Sequence, residues 1–473
     1  MQGLHNAVLN GDTITLPAGT FTWRTRVNLT KAVTLRGAGV GATIIRDAVQ
    51  GGNLISWTLA AGRSSRLTGI EFQNGGRTSY HNGVVTVTGS NTNGSRFRMD
   101  HCKWDENVNG SPLFDTVIGV VDHNRFIRRT GEDGHAFWVF GSHWNGSGAG
   151  DGSWSAPTNF GSSQFLFFED NTFTSTHPSY LISLCDAYDG ARFVLRHNTI
   201  TGFTFQNHGT ESSGRRRGTR ATEFYNNYCD GRNLNQFVGG SRSGSQVIHH
   251  NTCVNFWSGG TWNLQNYRSY AAFPVFGGAD GTNPWDVNDP IVYFTGTAAQ
   301  NSSGTTVTVS GNPNWTTNRW VGYVVRRTTN LCNVTNANTF GLIVGNTSNT
   351  LTWIPNAFTE LSALSICAGD SVEIRKVIWA MDMPGRARGS LLANVFNPPV
   401  PRGWNDQVTQ PVYAWNNGSM HLVTNLPNIH EGEHYHHNTP MPGYTPYIYP
   451  HPLTGNGGAA AGRYTPAAVT LNK

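Results

Sequence analysis

The sequence predicts an all-β fold in which a solenoid of stacked coils carries a small inserted antiparallel β module. Three observations support this prediction: a polar motif recurs at the length of one coil, apolar residues alternate in front of it, and the pattern changes between residues 294 and 375. The 473 residues include 56 Gly and only 13% charged residues. That composition excludes a disordered chain or a coiled coil.

The repeat consists of a short strand, a polar pair that mostly ends in Asn, and a bulky residue two places later. The shared position falls on Cys102, Asn124, Asn171, Asn198, Asn227 and Asn251. Successive copies lie 22, 47, 27, 29 and 24 residues apart, so the gap of 47 contains either an extra coil or an insertion, supplied by residues 130–163. Coils this short cannot bury their apolar face alone and must stack on their neighbours.

Apolar residues occupy alternate positions in the strand that precedes each polar pair. They are Phe97 and Met99, Leu166 and Phe168, Phe193 and Leu195, and in later copies Phe224 and Ile248. Because side chains alternate between the two faces of a strand, we expect this column to form the core. The stacked Asn residues are then expected to form an amide ladder at an inner turn, where they satisfy buried backbone groups.

Longer stretches of the sequence resemble a known superfamily. The opening GDTITLPAGTFTW and the following VTLRGAGVGATII are similar to the N-terminal cap and first coil of the pectate-lyase superfamily. The runs DGARFVLRHNTI, HGTESSGRRRGTRATEFYNNYC, YRSYAAF, WDVND and GYTPYIYPHPL resemble a bacterial branch of it that carries no single settled activity. The resemblance covers nearly the whole chain and implies a right-handed parallel β-helix that acts on polysaccharide.

The domain boundaries follow from changes in pattern. Residues 1–293 are expected to form the N-terminal cap and the β-helix, and residues 294–375, with alternating Thr, Ser, Asn and Val, the inserted antiparallel module. Residues 376–454 are expected to return to the helix and close it. The Gly/Ala-rich residues 455–473 are expected to form a linker or tail. Cys332 and Cys367 are candidates for a disulfide.

The chain enters a strand pattern almost at its first residue, which we interpret as a mature start from which an export signal has been removed. A secreted or cell-surface location is therefore expected, and no apolar run approaches the roughly 18 residues of a membrane span. The net charge of +5 mildly favours an anionic partner. The string GRRRG is isolated, so nucleic-acid binding is not expected. The oligomeric state is left open.

One candidate surface is the column of residues two places before the repeated Asn. Its members are Asp100, Asp122, Glu169, Arg196, Tyr225 and His249. Alternation places this column on the solvent side of the strands, where a rigid row of polar groups could hold a chain-like ligand. An ordinary hydrated surface is the alternative interpretation.

A second candidate is a charged cluster where the strands begin. Asp189, Arg220 and Arg242 lie seven to nine residues before the Asn of three successive coils and should be neighbours. The loops and strands around them add Asp186, Arg192, His208, Glu211, Arg217 and Glu223. We expect this cluster to converge on one solvent-open groove. A surface salt-bridge network is the alternative.

The insertion in the 47-residue gap combines aromatic side chains with many Gly residues. It carries His135, Trp138, His143, Trp144 and Trp154. Exposed Trp faces suit the apolar faces of sugar rings, and long loops on a rigid scaffold often bind ligands. Packing of these Trp residues onto the helix is the alternative.

The leading functional hypothesis is a polysaccharide lyase that cleaves a uronate-containing chain by β-elimination, as the arginine-rich sites of related β-helix lyases imply. The catalytic candidates are His208, Arg220, Arg217, Glu211 and Asp189. The substrate-binding candidates are Arg242, Arg192, Arg196, Tyr225, His249, Trp138, Trp144 and Trp154. The carboxylates that could bind Ca²⁺ are Asp186, Asp189 and Glu223.

In this hypothesis an arginine pairs with the substrate carboxylate and stabilises the charge that develops as the C5 proton leaves. His208 is the preferred base because an imidazole titrates in the working range, and Arg220 is the alternative base. Two other function classes stay open. One is a glycoside hydrolase that uses a pair of carboxylates, and the other is a non-catalytic carbohydrate-binding or adhesion protein.

Overall fold

The computed structural model describes most of the chain, and its described strands stack into a parallel β-helix, as the repeat predicts. The described residues are 1–78, 81–105, 110–128, 135–146, 150–176, 183–207, 217–265, 292–321, 323–334, 339–354, 364–376, 383–388, 407–424, 429–455 and 468–470. His208 and Glu211 lie outside these ranges. Their predicted catalytic roles are therefore not addressed by the structure.

Three parallel sheets form the faces of the helix, and we name them A, B and C in the order in which each coil visits them. The strands of sheet A are Thr13–Thr15, Thr34–Arg36, Ser64–Thr68, Arg96–Asp100, Gly119–Asp122, Leu166–Glu169, Arg192–Arg196, Ala221–Tyr225, Ser245–His249, Val412–Trp415, Tyr435–His437 and Ala468–Thr470. The last of these pairs with the first, Thr13–Thr15. The strands of sheet B are Gly19–Trp23, Thr43–Asp47, Glu71–Asn74, Lys103–Asp105, Arg125–Arg128, Thr172–Ser175, Thr199–Thr201, Tyr228–Asp230 and Thr252–Val254.

Sheet C has two parts, which a parallel bridge between Ser183 and Thr204 joins in the described part of the chain. The first part contains Val27–Leu29, Ile55–Thr58, His81–Thr88, Gly110–Asp115, Phe137–Phe140 and Cys185–Tyr188. The second part contains Phe205–Asn207, Phe237–Ser241, Thr261–Leu264 and His421–Val423.

Helices are few and short in the described chain. The α-helices are Gln2–Ala7 and Asp151–Ser155, and the 3-10 turns are Trp144–Gly146, Trp257–Gly259 and Pro452–Thr454. No helix among the described residues is long and apolar enough to cross a membrane.

The core is the column of alternating apolar residues that the repeat predicts. Leu166 pairs in register with Phe193, and Phe168 with Leu195, so that equivalent side chains stack from coil to coil. Every member of the predicted column, from Phe97 to Ile248, is at most 1% exposed. The alternation therefore identifies the buried face correctly.

The predicted Asn ladder is present at the turn between sheets A and B. In each step the side-chain oxygen accepts from the backbone N–H and from the side-chain amide of the preceding Asn, over 2.8 to 3.1 Å. The ladder begins where the Cys102 N–H donates to Asn124, and it ends at Asn417. Asn417 was not predicted as a member because it follows Asn251 by 166 residues.

The residue in front of each ladder Asn adopts a left-handed backbone. Examples are His123, Asp170 and Asn226, with φ of 55°, 57° and 54°. This conformation lets the chain turn sharply, and short polar residues tolerate it better than branched ones. That tolerance explains why the repeated polar pair is Asn, Asp or His followed by Asn.

The gap of 47 residues contains an insertion and no extra coil. Gly119–Asp122 pairs directly with Leu166–Glu169, so the two strands belong to successive coils. The excess residues lie between a strand of sheet C and the next strand of sheet A, at residues 141–165. The longest interruption, residues 265–411, occupies the same corner.

That interruption contains an antiparallel β module, as predicted from the change of pattern. Its strands, in spatial order, are Val292–Thr297, Ser371–Lys376, Tyr323–Arg327, Phe340–Asn346, Thr350–Ile354 and Thr306–Thr308. They enclose a separate apolar core that includes Trp315, Trp353 and Ile374. Cys332 and Cys367 form a disulfide in this module. A two-stranded ribbon, Arg386–Arg388 with Gln407–Thr409, follows it.

Candidate functional site

The outer face of sheet A, from the strand Gly119–Asp122 to the strand Val412–Trp415, is covered by residues 439–455, which we name the C-terminal segment. Arg196, Tyr225 and His249 were expected to face solvent and are at most 4% exposed. The expectation is wrong because alternation gives the side of the strand on which a residue lies, but not what packs over that side.

Arg196 joins the C-terminal segment to sheet A. Its guanidinium pairs with Glu169, and both side chains are fully buried. The remaining N–H groups donate to the Tyr225 hydroxyl (3.0 Å) and to the carbonyl oxygens of Tyr447 (2.7 Å) and Ile448 (2.9 Å). All five donors of the guanidinium are therefore used inside the chain, which is inconsistent with a substrate-binding role for Arg196.

Glu223 and His249 complete this covered surface. Glu223 accepts from the Gly161 N–H (2.8 Å) and the Tyr444 hydroxyl (2.5 Å), and burial raises the pKa of Glu223 to about 7. His249 is stacked against Tyr225 with ring centroids 4.6 Å apart, and burial lowers the pKa of His249 to about 3. This part of the outer face of sheet A is thus an internal packing surface.

Part of the predicted charged cluster forms, and it is buried beneath the insertion, whereas Arg242 and Glu223 lie elsewhere. Arg192 donates to the carbonyl oxygens of Ser153, Pro157 and Thr158 over 2.6 to 2.9 Å, and burial lowers its pKa well below the usual range. Arg220 donates to the Ala156 carbonyl at 2.9 Å. These contacts hold the insertion onto the helix.

Arg217 and Arg220 each lie with the guanidinium carbon 5.6 Å from the ring centre of Trp154. Both side chains are at most 1% exposed, as is Asp189, which accepts from the Ser142 hydroxyl at 3.0 Å. The expectation of a solvent-open groove is therefore wrong for these three residues. They converge because their coils stack, and they are buried because the insertion folds over them.

The carboxylates proposed as Ca²⁺ ligands lie in three different surroundings. Asp186 faces outward from sheet C, 3.7 Å from the His135 imidazole, whereas Asp189 lies beneath the insertion. Glu223 lies beneath the C-terminal segment. Among the described residues no group of three His, Cys, Asp or Glu is placed to hold a metal ion, and the prediction of Ca²⁺ binding stays a prediction.

The Trp residues of the insertion pack against the protein. Trp154 is fully buried and donates its indole N–H to the Gly218 carbonyl at 2.9 Å. Trp144 lies under the guanidinium of Arg192 at 4.4 Å, and Trp138 is 7% exposed beside His135. The burial of Trp144 and Trp154 matches the alternative interpretation, in which these rings attach the insertion to the helix, whereas Trp138 belongs to the strand Phe137–Phe140 of sheet C.

An open groove lies elsewhere, on the outer face of the second part of sheet C. It has a volume of about 490 Å³. Its described lining consists of Thr204, Phe205, Gln206, Leu234, Asn235, Gln236, Phe237, Gly239, Gly240, Arg242, Trp257, Asn263 and Gln265. Of the sequence-predicted site residues, Arg242 alone belongs to this described lining.

The floor of the groove is made by three strands in register. Gln206, Gly240 and Asn263 are direct partners across them, and Gly240 leaves the centre without a side chain. The neighbouring Gly239 faces the core, where an added Cβ would lie 2.8 Å from the Trp262 ring. Gly239 thus leaves space for the Trp262 ring in the core, and Gly240 leaves the floor of the groove free of a side chain.

The two ends of the groove differ in chemistry. Arg242 follows the end of the strand Phe237–Ser241, its backbone N–H donates to Asn207 at 3.0 Å, and its guanidinium contacts Gln206. At the opposite end Trp257 is 58% exposed, with its indole N–H donated to the Asn233 carbonyl at 2.9 Å. The groove therefore has a cation at one end and an exposed aromatic ring at the other.

Arg242 also acts electrostatically on His135, which lies beside Asp186. Burial and the positive charges of Arg128 and Arg242 lower the pKa of His135 to about 4. The imidazole is consequently neutral near pH 7, and the field of Arg242 reaches from the groove to this pair.

Most groove residues were not identified from the sequence, because amide side chains such as those of Gln206 and Asn263 carry no recognisable motif. One signal was available: two consecutive glycines, Gly239 and Gly240, lie inside a strand. Glycine in a strand interior often marks a site where a ligand or another backbone approaches closely.

Comparison with known proteins identifies distant structural similarity. No protein-family model matches the chain, and no curated protein matches it. Among solved structures it is similar to a mutant of a PL6-family alginate lyase, with 16% identity, a TM-score of 0.32, and coverage of 55% of this chain and 39% of that one. It is also similar to an alginate lyase from Paenibacillus sp. strain FPU-7, with 13% identity, a TM-score of 0.31, and coverage of 56% and 95%. A protein of Geobacillus virus E2 gives 14% identity, a TM-score of 0.25, and coverage of 56% and 52%. At this level of similarity no activity is carried over from these proteins to this chain.

Proposed function

We propose that this protein is a polysaccharide lyase that binds a uronate-containing chain in the groove on sheet C and cleaves it by β-elimination. The observation that carries the proposal is the position of Arg242 at one end of an open groove that otherwise presents amide and aromatic side chains. A guanidinium pairs with a carboxylate through two parallel hydrogen bonds, which selects an acidic sugar.

The rest of the described lining suits sugar rings. Gln206, Asn263 and Gln265 provide donors and acceptors for hydroxyl groups. Trp257 and Phe237, 58% and 37% exposed, provide flat apolar surfaces against which a sugar face can pack. A concave surface with few convergent polar groups is the usual form of a binding site.

In the proposed reaction Arg242 pairs with the uronate carboxylate and stabilises the negative charge that develops as the C5 proton leaves. His208 is the proposed base. It follows Asn207 directly in the sequence, and the side chain of Asn207 accepts a hydrogen bond from the backbone N–H of Arg242. His135 is the second candidate base because it is neutral and lies in the field of Arg242. No step is assigned to Ca²⁺.

The two other function classes are less well supported. A glycoside hydrolase needs two carboxyl groups beside the scissile bond, and the described lining of the groove contains none. A non-catalytic binding protein would use the same groove and would need no base.

The test is an incubation with acidic and neutral polysaccharides, monitored by the absorbance of unsaturated uronate and separately by new reducing ends. We expect both signals to rise, and we expect Arg242→Ala to lower kcat/KM at least 100-fold. The matched control is Arg125→Ala, an exposed arginine on sheet B. Loss of activity in either His208→Ala or His135→Ala identifies the base.

Two results would contradict the proposal. Reducing ends without unsaturated product would indicate a hydrolase. Binding of a polysaccharide without any product would indicate a binding protein.

A further inference from the structure

Two cysteines of neighbouring coils are direct partners in sheet B. Cys229 lies in the strand Tyr228–Asp230 and Cys253 in the strand Thr252–Val254, and the two residues pair in register. Direct partners in a parallel sheet have Cα atoms about 4.8 Å apart and side chains on the same face. That separation lies within the range of about 4.4 to 6.8 Å that a disulfide requires. The backbone therefore places the two thiols where a covalent bond can join them.

The two thiols differ in their access to solvent. Cys229 is 3% exposed and continues the core column of sheet B that contains Phe173 and Ile200. Cys253 is partly exposed, and its strand is the last of sheet B in the described part of the chain. The two thiols are hydrogen-bonded to each other, and this bond together with burial raises the pKa of Cys229 well above its usual value. A reagent in solvent therefore reaches Cys253 first.

The pair lies between the two coils that form the aromatic end of the groove. Asn233 and Asn235 follow Cys229 in one coil, and Trp257 follows Cys253 in the next. Trp257 donates its indole N–H to the Asn233 carbonyl at 2.9 Å and its backbone N–H to the Asn235 carbonyl at 3.1 Å. A bond between the cysteines would therefore add a covalent link beside these hydrogen bonds.

From this geometry we propose that Cys229 and Cys253 are a site of covalent modification, at which a disulfide oxidant such as oxidised glutathione converts the two thiols into a disulfide. The new bond fixes the coil that carries Trp257 to the coil before it. Cys332 and Cys367 already form a disulfide in the antiparallel module, so an oxidising environment suits the chain. The inference does not depend on the proposed function.

The reaction consists of two thiol–disulfide exchanges. The Cys253 thiol loses its proton and attacks one sulfur of oxidised glutathione, which forms a mixed disulfide and releases one glutathione thiol. Cys229 then loses its proton and attacks the Cys253 sulfur, which releases the second glutathione thiol. Two protein thiols are oxidised and one oxidised glutathione is reduced to two thiols, so electrons and protons balance.

The test is a peptide map of protein incubated with oxidised glutathione, alkylated in denaturant without a reductant, and digested with trypsin. Cys229 and Cys253 lie in different tryptic peptides, residues 221–232 and 243–268. We expect mass spectrometry to find these peptides joined with the loss of two hydrogen atoms, and separate again after reduction. Cys102 and Cys185, which are also free and are buried, serve as internal controls and should be alkylated.

Hydrogen exchange measures the effect on the groove. We expect amide exchange in the strand Thr252–Val254 and at Trp257 to be about tenfold slower in the oxidised protein than in protein kept in reduced glutathione. In Cys253→Ala the two conditions should give the same exchange. Cys229→Ala is the second variant if Cys253→Ala does not fold.

Two results would overturn the inference. One is alkylation of both Cys229 and Cys253 after incubation with the oxidant, and the other is glutathione retained on Cys253 without a link to Cys229. A linked pair with unchanged exchange at Trp257 would overturn the claim that the bond fixes this coil.

Discussion

The outer faces of sheets A and C come from the same coils but differ in what covers them. On sheet A, Arg196 and Glu223 are fully buried, and their partners include Tyr447 and Tyr444 of the C-terminal segment. On sheet C, Arg242 lies at the edge of an open groove. The repeat therefore fixes where a side chain lies on the solenoid, and the non-repetitive segments decide whether it meets solvent.

The largest expected effect comes from removing a cation of the covered face. Arg196→Ala leaves Glu169 buried without its guanidinium and should lower the free energy of unfolding by about 3 to 5 kcal/mol. Urea unfolding followed by circular dichroism measures the change. Arg242→Ala, on the open face, should cost well under about 1 kcal/mol. Equal losses for the two variants would break the distinction between the faces.

The next effect concerns the arginines beneath the insertion. Arg220→Ala removes a guanidinium that donates to the Ala156 carbonyl and packs on Trp154, and should cost about 2 to 3 kcal/mol. A lower melting temperature is therefore expected, because the structure gives Arg220 a packing role in place of the catalytic role predicted from the sequence. An unchanged melting temperature with lost activity would restore the catalytic role.

The covered face should also give a pH-dependent stability. Burial raises the pKa of Glu223 to about 7 in the folded protein. The folded state therefore keeps its proton at pH values where the unfolded chain has already lost it, and the free energy of unfolding falls as pH rises from the unfolded pKa to 7. The expected loss is on the order of 3 kcal/mol. The nearby His249, with its pKa lowered to about 3, acts in the opposite direction below pH 6.5.

Comparison with Glu223→Gln isolates the contribution of Glu223. The stability of the unmodified protein relative to this variant should fall between pH 4.5 and 7 and stay constant above pH 7. Tyr444 and Arg196, which also face Glu223, are present in both proteins and cancel. A difference that does not change with pH would show that the carboxyl group is ionised throughout.

The smallest effect on stability is expected at the floor of the groove. Gly240→Val adds a side chain that points into the groove, where its Cβ lies 3.2 Å from the Asn263 carbonyl oxygen. We expect a loss of polysaccharide binding with a change in unfolding free energy below about 1 kcal/mol. Thr174→Val, on the outer side of sheet B, is the matched control. Unchanged binding in Gly240→Val would exclude the groove as the site.

The features that could be predicted from the sequence are those that the repeat itself determines. The core column and the ladder from Asn124 to Asn251 depend on spacing and alternation within a coil, and both are confirmed. Burial of Arg196 could not be predicted because its cover, the C-terminal segment, lies far along the chain. Most of the groove could not be predicted because its residues, although paired in register, lie at different distances from the repeated Asn of their coils.

The ladder also shows what the solenoid does not require. Asn251 donates to Asn417 in the same way as Asn227 donates to Asn251. The first pair is separated by 166 residues of chain and the second by only 24. Closing the longer connection costs only about 1 to 2 kcal/mol more, because loop-closure entropy grows with the logarithm of length. The corner between sheets C and A can therefore hold a connection of very different length, including a whole folded module, while the coils on either side keep their register.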